Sequence, residues 1–312
     1  MKILITGGAG FIGAHLTKAL LARGDEVTLF DNFDEFVYPV AAKKKRLAAL
    51  VPDAASRLVQ GSILNPAELS EACARGPFDT VIHLAALANP ARSMNAAEPY
   101  EMTNVLGTLH VLDAAVAGVA RHVIFAGSSS VYNDEQTPFT ETSYPLRPRS
   151  PYGASKAAAE NYCAAWHVMH GLPITITRLF SVYGPWGRPD MAPLIFAQKI
   201  LAGETIEVSQ GMKRDFTYID DIVAGLVAAV DHPFDFEVIN LGRGEPVAIN
   251  DLVAALEKAA GMTVEHIERE APAGEMRITY ADTSKARQLL GYEPKVSVEE
   301  GAASVINWLK QH

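Results

Sequence analysis

Tyr152 and Lys156, four positions apart in "SPYGASK", have the types and spacing of a proton-transfer pair. On a helix, positions i and i+4 share a face, so the phenol and the ammonium would stand together. An ammonium beside a phenol favours the phenolate and lowers its pKa. Such a phenol can take a proton from a substrate hydroxyl while a hydride leaves the same carbon. Alone, the pair reads as an ordinary surface contact. Two other stretches change that reading: the serines Ser128, Ser129 and Ser130 of "AGSSSVY", and a glycine-rich loop near the start. Serine is common where a strand turns into a loop. Here three hydroxyls follow the apolar run "RHVIFA", and they are read as lining a reaction centre.

The glycine-rich stretch "TGGAGFIG" places Gly7, Gly10 and Gly13 after a first strand, with Phe11 and Ile12 opening a helix. Glycines there permit a tight turn, close approach of backbone to a pyrophosphate, and close helix–strand packing. The unpaired N–H groups of the helix start then face the diphosphate. Asp31 ends the second strand, "EVTLFD", where a carboxylate accepts from both ribose hydroxyls and repels a 2′-phosphate. The cofactor expected is therefore NAD rather than NADP.

These groups need a scaffold, and the first half of the chain describes one. "KILIT", "EVTLF", "RLVQG", "TVIHLA", "HVIFAG" and "ITITRLF" read as strands separated by helical patterns. Apolar strands alternating with helices imply a doubly wound parallel sheet, a Rossmann-like α/β fold. After about residue 180 the pattern loosens through the Pro/Gly-rich "YGPWGRPDMAP". The expected division is a dinucleotide-binding domain over 1–180, rejoined by roughly 215–242, and a smaller substrate domain from 181–214 and 243–312. The stretch "INDLVAALEKAAG" is expected to be a helix capped by its Asn, and "KKKR" at 43–46 a solvated helix face.

Composition bounds the classes. The 312 residues are 49% hydrophobic and 20% charged, with a formal net charge of −9, which argues against a general nucleic-acid partner. The two cysteines, Cys73 and Cys163, offer neither metal spacing nor a disulfide framework, and no apolar run is long enough for a bilayer. The expectation is a cytoplasmic protein without metal or membrane partner.

"GGAGFIG", "HLAA" (83–86), "NVLGT" (104–108), "SSSVY", "YGASK" and "RDFTYIDD" (214–221) together resemble the extended short-chain dehydrogenase/reductase family along essentially the whole chain. The resemblance implies a catalytic set of serine, tyrosine and lysine, which falls on Ser128, Tyr152 and Lys156, with Lys156 also holding the nicotinamide ribose. It implies that Asn32, Ser62, Ile63, Leu84, Ala85 and Ala86 join the glycine loop at the cofactor. Sister enzymes carry acids after the catalytic hydroxyl, which drive dehydration or accompany decarboxylation. Ser129 and Ser130 cannot act as acids or bases near neutral pH, and what remains is oxidation and re-reduction at C4 of a UDP-sugar, a 4-epimerase.

"YGPWGRPDMA" (183–192), "MKRDFTYIDDIV" (212–223) and "DNFDEFVYP" resemble the UDP-glucuronate 4-epimerase group. There, hydroxyls after the catalytic one and before "VYGPWG" hold the sugar carboxylate. They fall on Ser129, Ser130 and Ser181, with Arg188 nearby, and the expected reaction is UDP-glucuronate to UDP-galacturonate. Arg214 and Arg277 are candidates for the diphosphate. Asn133, Ser62, "ALANPARSM" (86–94) and "GEMRITYAD" (274–282) depart from that group, the last two resembling UDP-N-acetylhexosamine 4-epimerases. That sugar and UDP-glucose stay open as alternatives, as do a net oxidoreductase and a non-catalytic NAD-binding regulator. The resemblance also implies a homodimer paired through 93–117 and 152–170.

Overall fold

A computed structural model of the chain describes residues 1–133, 137–270 and 276–312, with only the backbone at 118 and 119. The six apolar runs of the first half form β1 (Lys2–Thr6), β2 (Glu26–Asp31), β3 (Leu58–Gln60), β4 (Thr80–His83), β5 (Val123–Ser128) and β6 (Ile174–Leu179). A seventh strand, Phe236–Leu241, returns from the second half and pairs with β6. All seven are parallel, in the order Phe236–Leu241, β6, β5, β4, β1, β2, β3. Every residue of β4, β5 and β6 is buried, because helices cover both faces of the sheet.

β1 lies between β2 and β4, so the winding reverses there and a crevice opens at the carboxyl ends of β1 and β4. Helix α1 (Phe11–Ala22) follows β1, and α2 (Val40–Leu50) follows β2. The Ile219–Asp231 helix packs on α1 and leads back into the sheet through Phe236–Leu241.

Among the described residues, the second half adds three small sheets. Ser181–Tyr183 pairs with Phe216–Tyr218, and Ile206–Ser209 with His266–Arg269. Lys213–Arg214 lies between Val247–Ala248 and Ile278–Thr279. The helices Ala192–Ala202, Ile249–Ala260 and Val298–Gln311 pack together beside them. No helix among the described residues is long and apolar enough to cross a membrane.

Two local expectations are corrected. Asn250 does not cap its helix: Ala248 holds the cap position and Asn250 lies inside the first turn. The pairing of Val247–Ala248 with Lys213–Arg214 keeps the chain extended to Ala248, so the helix starts directly after it. The "KKKR" run is not wholly solvated either. Lys44 and Lys45 are exposed, but Arg46 is 1% exposed, on the inward stripe of α2 with Leu47 and Leu50.

Candidate active site

Gly7 turns the chain after β1 with φ +72°, a left-handed conformation. A Cβ there would lie 2.6 Å from the Ala85 nitrogen, and one on Gly13 2.4 Å from the Gly7 carbonyl oxygen. Glycine alone fits both positions. The turn leads into α1, whose first turn has no side-chain cap and no acidic residue. Its free N–H groups suit an anionic diphosphate. At the end of β2, Asp31 accepts from the backbone nitrogens of Ala9 (2.9 Å) and Phe33 (2.8 Å). Those amides fix the buried carboxylate at the cavity edge, where its other lone pairs can take adjacent ribose hydroxyls. Cradle and carboxylate together fit NAD.

A cavity of about 380 Å³ joins these groups to the serines. Asp31, Asn32, Ser62 and Ile63 line it, as do Gly7, Gly10, Phe11, Ile12, Gly13 and Leu84, Ala85 and Ala86. So do Ser128, Ser129, Ser130, Tyr152, Lys156, Ser181 and Arg188. The helix Pro151–His170 starts with Ser150 accepting from the Gly153 nitrogen (3.1 Å) and Pro151 in the first position, where its missing N–H costs nothing. Gly153 sits against the serine turn: a Cβ would lie 2.3 Å from the Ser130 carbonyl oxygen. The Tyr152 nitrogen donates to Ser93 Oγ at 3.1 Å. So placed, the Tyr152 side chain lines the cavity together with Ser128, whose Oγ accepts from the Ser130 nitrogen at 3.1 Å.

Burial raises the Tyr152 phenol above its ordinary value; the Ser128 hydrogen bond and the Arg188 charge pull the other way without overcoming it. The sequence expectation of a phenol lowered by Lys156 is therefore reversed, because burial of the phenol outweighs the charges near it. Burial also brings Lys156 down to about 8, although Glu160 and Cys163 raise it. Lys156 is 4% exposed, and its Nζ stands 4.6 Å from the Phe125 ring centre.

Arg188 lines the cavity with its charge already matched. Its Nε and Nη2 donate to Asp190 Oδ1 (3.0 Å) and Oδ2 (2.6 Å), and Nη2 also donates to the Ala88 carbonyl. Asn89 Nδ2 donates to the same Asp190 Oδ2 at 2.9 Å. Arg214 and Arg277 are not brought to the cavity. Arg214 lies in the three-stranded sheet of the second half, its Nη1 donating to the carbonyls of Lys213 and Arg277. Of the "GEMRITYAD" stretch, Gly274 and Glu275 lie outside the described residues.

Residues 3–242 match the model of the NAD dependent epimerase/dehydratase family. The chain belongs to that family. This epimerase/dehydratase relative is 36% identical to the UDP-glucuronate 4-epimerase of Thermodesulfobacterium geofontis, over 99% of this chain and 96% of that one. It is similar to the crystal structure of UDP-glucuronic acid 4-epimerase from Bacillus cereus in complex with UDP-glucuronic acid and NAD, at 36% identity and TM-score 0.92, covering 100% of this chain and 99% of the other. The UDP-glucose 4-epimerase of Thermus thermophilus in complex with NAD matches at 28% identity and TM-score 0.90, over 99% of each chain.

In this family member several supporting residues carry no assignment from the sequence. Asn104, 1% exposed, accepts from the Leu87 nitrogen (2.8 Å) and donates to the Leu87 carbonyl (2.9 Å) and Ser155 Oγ (2.9 Å). It ties the wall after β4 to the helix of Tyr152. Glu160, one turn beyond Lys156, is forked by Arg178 at 2.7–3.2 Å. Arg178 also donates to Tyr132 (2.7 Å), which donates to Asn240 (2.8 Å). Gly127 makes room for the fork, since a Cβ there would lie 2.7 Å from Glu160 Oε1. The signal for Asn104 is a polar residue inside an apolar helix pattern. For Glu160 it is the i+4 spacing from Lys156.

Proposed function

We propose that the chain is an NAD-dependent UDP-glucuronate 4-epimerase, interconverting UDP-glucuronate and UDP-galacturonate through a 4-keto intermediate. The observation that carries this reading is the Ser128–Tyr152 pair in the same cavity as a glycine cradle and carboxylate fit for NAD. Family membership and full-length similarity to UDP-glucuronate 4-epimerases support it.

NAD, when bound, supplies reversible hydride acceptance at C4. Ser128 holds the C4 oxygen while Tyr152 takes its proton and later returns it. Lys156, charged below about pH 8, provides a cation for the nicotinamide ribose and for a developing phenolate. Ser129, Ser130 and Ser181 bind the sugar carboxylate, since hydrogen bonds to an ionised group are strong. Their grip has a chemical purpose. Oxidation at C4 makes a β-keto acid, which loses carbon dioxide once the C5–C6 bond stands perpendicular to the carbonyl plane. Holding the carboxylate away from that geometry protects the intermediate. Arg188, neutralised by Asp190, closes that side of the cavity.

Residues 1–180 and about 215–242 form the cofactor unit in this reading, and 181–214 with 243–312 the sugar-nucleotide unit. The return of Phe236–Leu241 to the large sheet favours that division. The enzyme acts as a homodimer in the cytoplasm. Exposed Met94, Met102 and Val116 on one segment, and Tyr162, Val168 and Met169 on the other, give the two expected pairing segments apolar surface to bury. Two unpaired cysteines suit a reducing compartment.

The test is incubation with UDP-glucuronate, UDP-glucose and UDP-N-acetylglucosamine separately, with products identified by NMR. UDP-galacturonate from the first is the expected result. Turnover of the N-acetyl sugar alone would overturn the substrate and leave the chemistry.

A further inference from the structure

We propose that Arg46 is a positioning residue of this active site: its guanidinium clamps the Trp186–Gly187 backbone, and with it Arg188, onto the glycine loop. The inference rests on the epimerase reading for its substrate readout only. Arg46 ends the basic run that composition assigns to solvent, yet the side chain is almost wholly buried. Its Nε donates to the Trp186 carbonyl at 2.6 Å and its Nη2 to the Gly187 carbonyl at 3.2 Å. Its Nη1 reaches the Ala9 carbonyl at 3.2 Å and the Tyr38 hydroxyl at 3.3 Å. One planar fork thus joins the backbone of the glycine loop to that of the loop that presents Arg188 and Met191 to the cavity, with the Tyr38 hydroxyl beside it.

Trp186 is the second observation. Its φ is +60°, the left-handed region, which a bulky L-residue keeps only when its surroundings hold it. The Arg46 fork grips the carbonyls of this residue and the next. From the other side, the Trp186 ring packs on Trp308 (centroids 5.1 Å apart) and His312 (4.8 Å). The strained turn therefore sets where Arg188 stands, and Arg46 sets the turn. A lysine cannot replace it, because one ammonium does not present a flat fork to two successive carbonyls.

The charge points toward the cofactor. Among the described residues no carboxylate pairs with Arg46: its hydrogen-bond partners are neutral oxygens, with the Phe11 and Tyr38 rings 5.9 and 5.5 Å away. A buried cation without a counter-anion is unfavourable. A dinucleotide diphosphate at the start of α1, beside Ala9 and Phe11, supplies the missing negative charge.

Arg46→Lys and Arg46→Met decide the matter, measured for NAD retained per chain after gel filtration, for kcat and KM with UDP-glucuronate, and for thermal unfolding. The expected result is a KM raised roughly tenfold, the size of one or two net hydrogen bonds, with kcat within about twofold and less NAD retained. NAD content is read whether or not UDP-glucuronate is the substrate, so failure of the substrate reading leaves this arm standing. Unchanged KM and NAD content in Arg46→Lys would overturn the proposal, as would a lower unfolding temperature with both unchanged. Failure of both variants to fold would reduce Arg46 to a structural residue and overturn it too.

Discussion

Burial raises the Tyr152 phenol and Ser128 works against that rise, while the form that takes the C4-hydroxyl proton in the proposed reaction is the phenolate. Removing the Ser128 hydroxyl raises the phenol further. Ser128→Ala is therefore expected to move the acid limb of the kcat/KM–pH profile to higher pH and to lower kcat by roughly 10²-fold. An unmoved limb would confine Ser128 to holding the sugar. Tyr152, Lys156, Asp31 and the glycines were legible in the sequence because each is fixed by local spacing. Arg46 was not: a basic run carries no sign of depth, and only the carbonyls of Ala9, Trp186 and Gly187 draw this one residue inward. The upward direction of the Tyr152 pKa was also hidden, because spacing shows a neighbouring charge but not the loss of water.

The helix Pro151–His170 carries both Tyr152 and Lys156, and Gly153 seats it against the serine turn. Gly153→Ala would drive a methyl into the Ser130 carbonyl. Expected is a kcat at least about tenfold lower with an unchanged far-UV circular dichroism spectrum, the effect of a small misplacement on reacting geometry. Normal turnover would show that the contact relaxes freely. On that same helix, Glu160 raises the Lys156 pKa against burial. Glu160→Gln with Arg178→Met removes the buried pair together and spares either partner an unmatched charge. Its alkaline limb should move to lower pH, read from kcat profiles. Strands buried on both faces announce themselves as apolar runs, so the large sheet was readable. The two-residue strands Lys213–Arg214, Val247–Ala248 and Ile278–Thr279 are too short for any period, which is why that sheet and the true cap of the Ile249–Ala260 helix were not.

For the whole molecule, three histidines link stability to pH. Burial lowers His83 to about 3, and His15 and His122 to about 4. Each stays neutral in the folded chain where the unfolded chain already binds its proton, so stability is full above about pH 6.5 and is lost as pH falls toward 4. Urea midpoints compared at about pH 7 and pH 5 should fall accordingly, and His122→Gln should flatten the dependence. The proposed dimer is checked by light scattering on Val168→Glu with Met169→Glu, for which monomers are the expected result. In the proposed reaction the hydride leaves C4 and returns to it within one closed site. Proton NMR of UDP-glucuronate turned over in deuterium oxide without added NAD tests it most directly. UDP-galacturonate carrying its full H4 signal is the predicted result; deuterium at C4, or turnover only with added stoichiometric NAD, would contradict it.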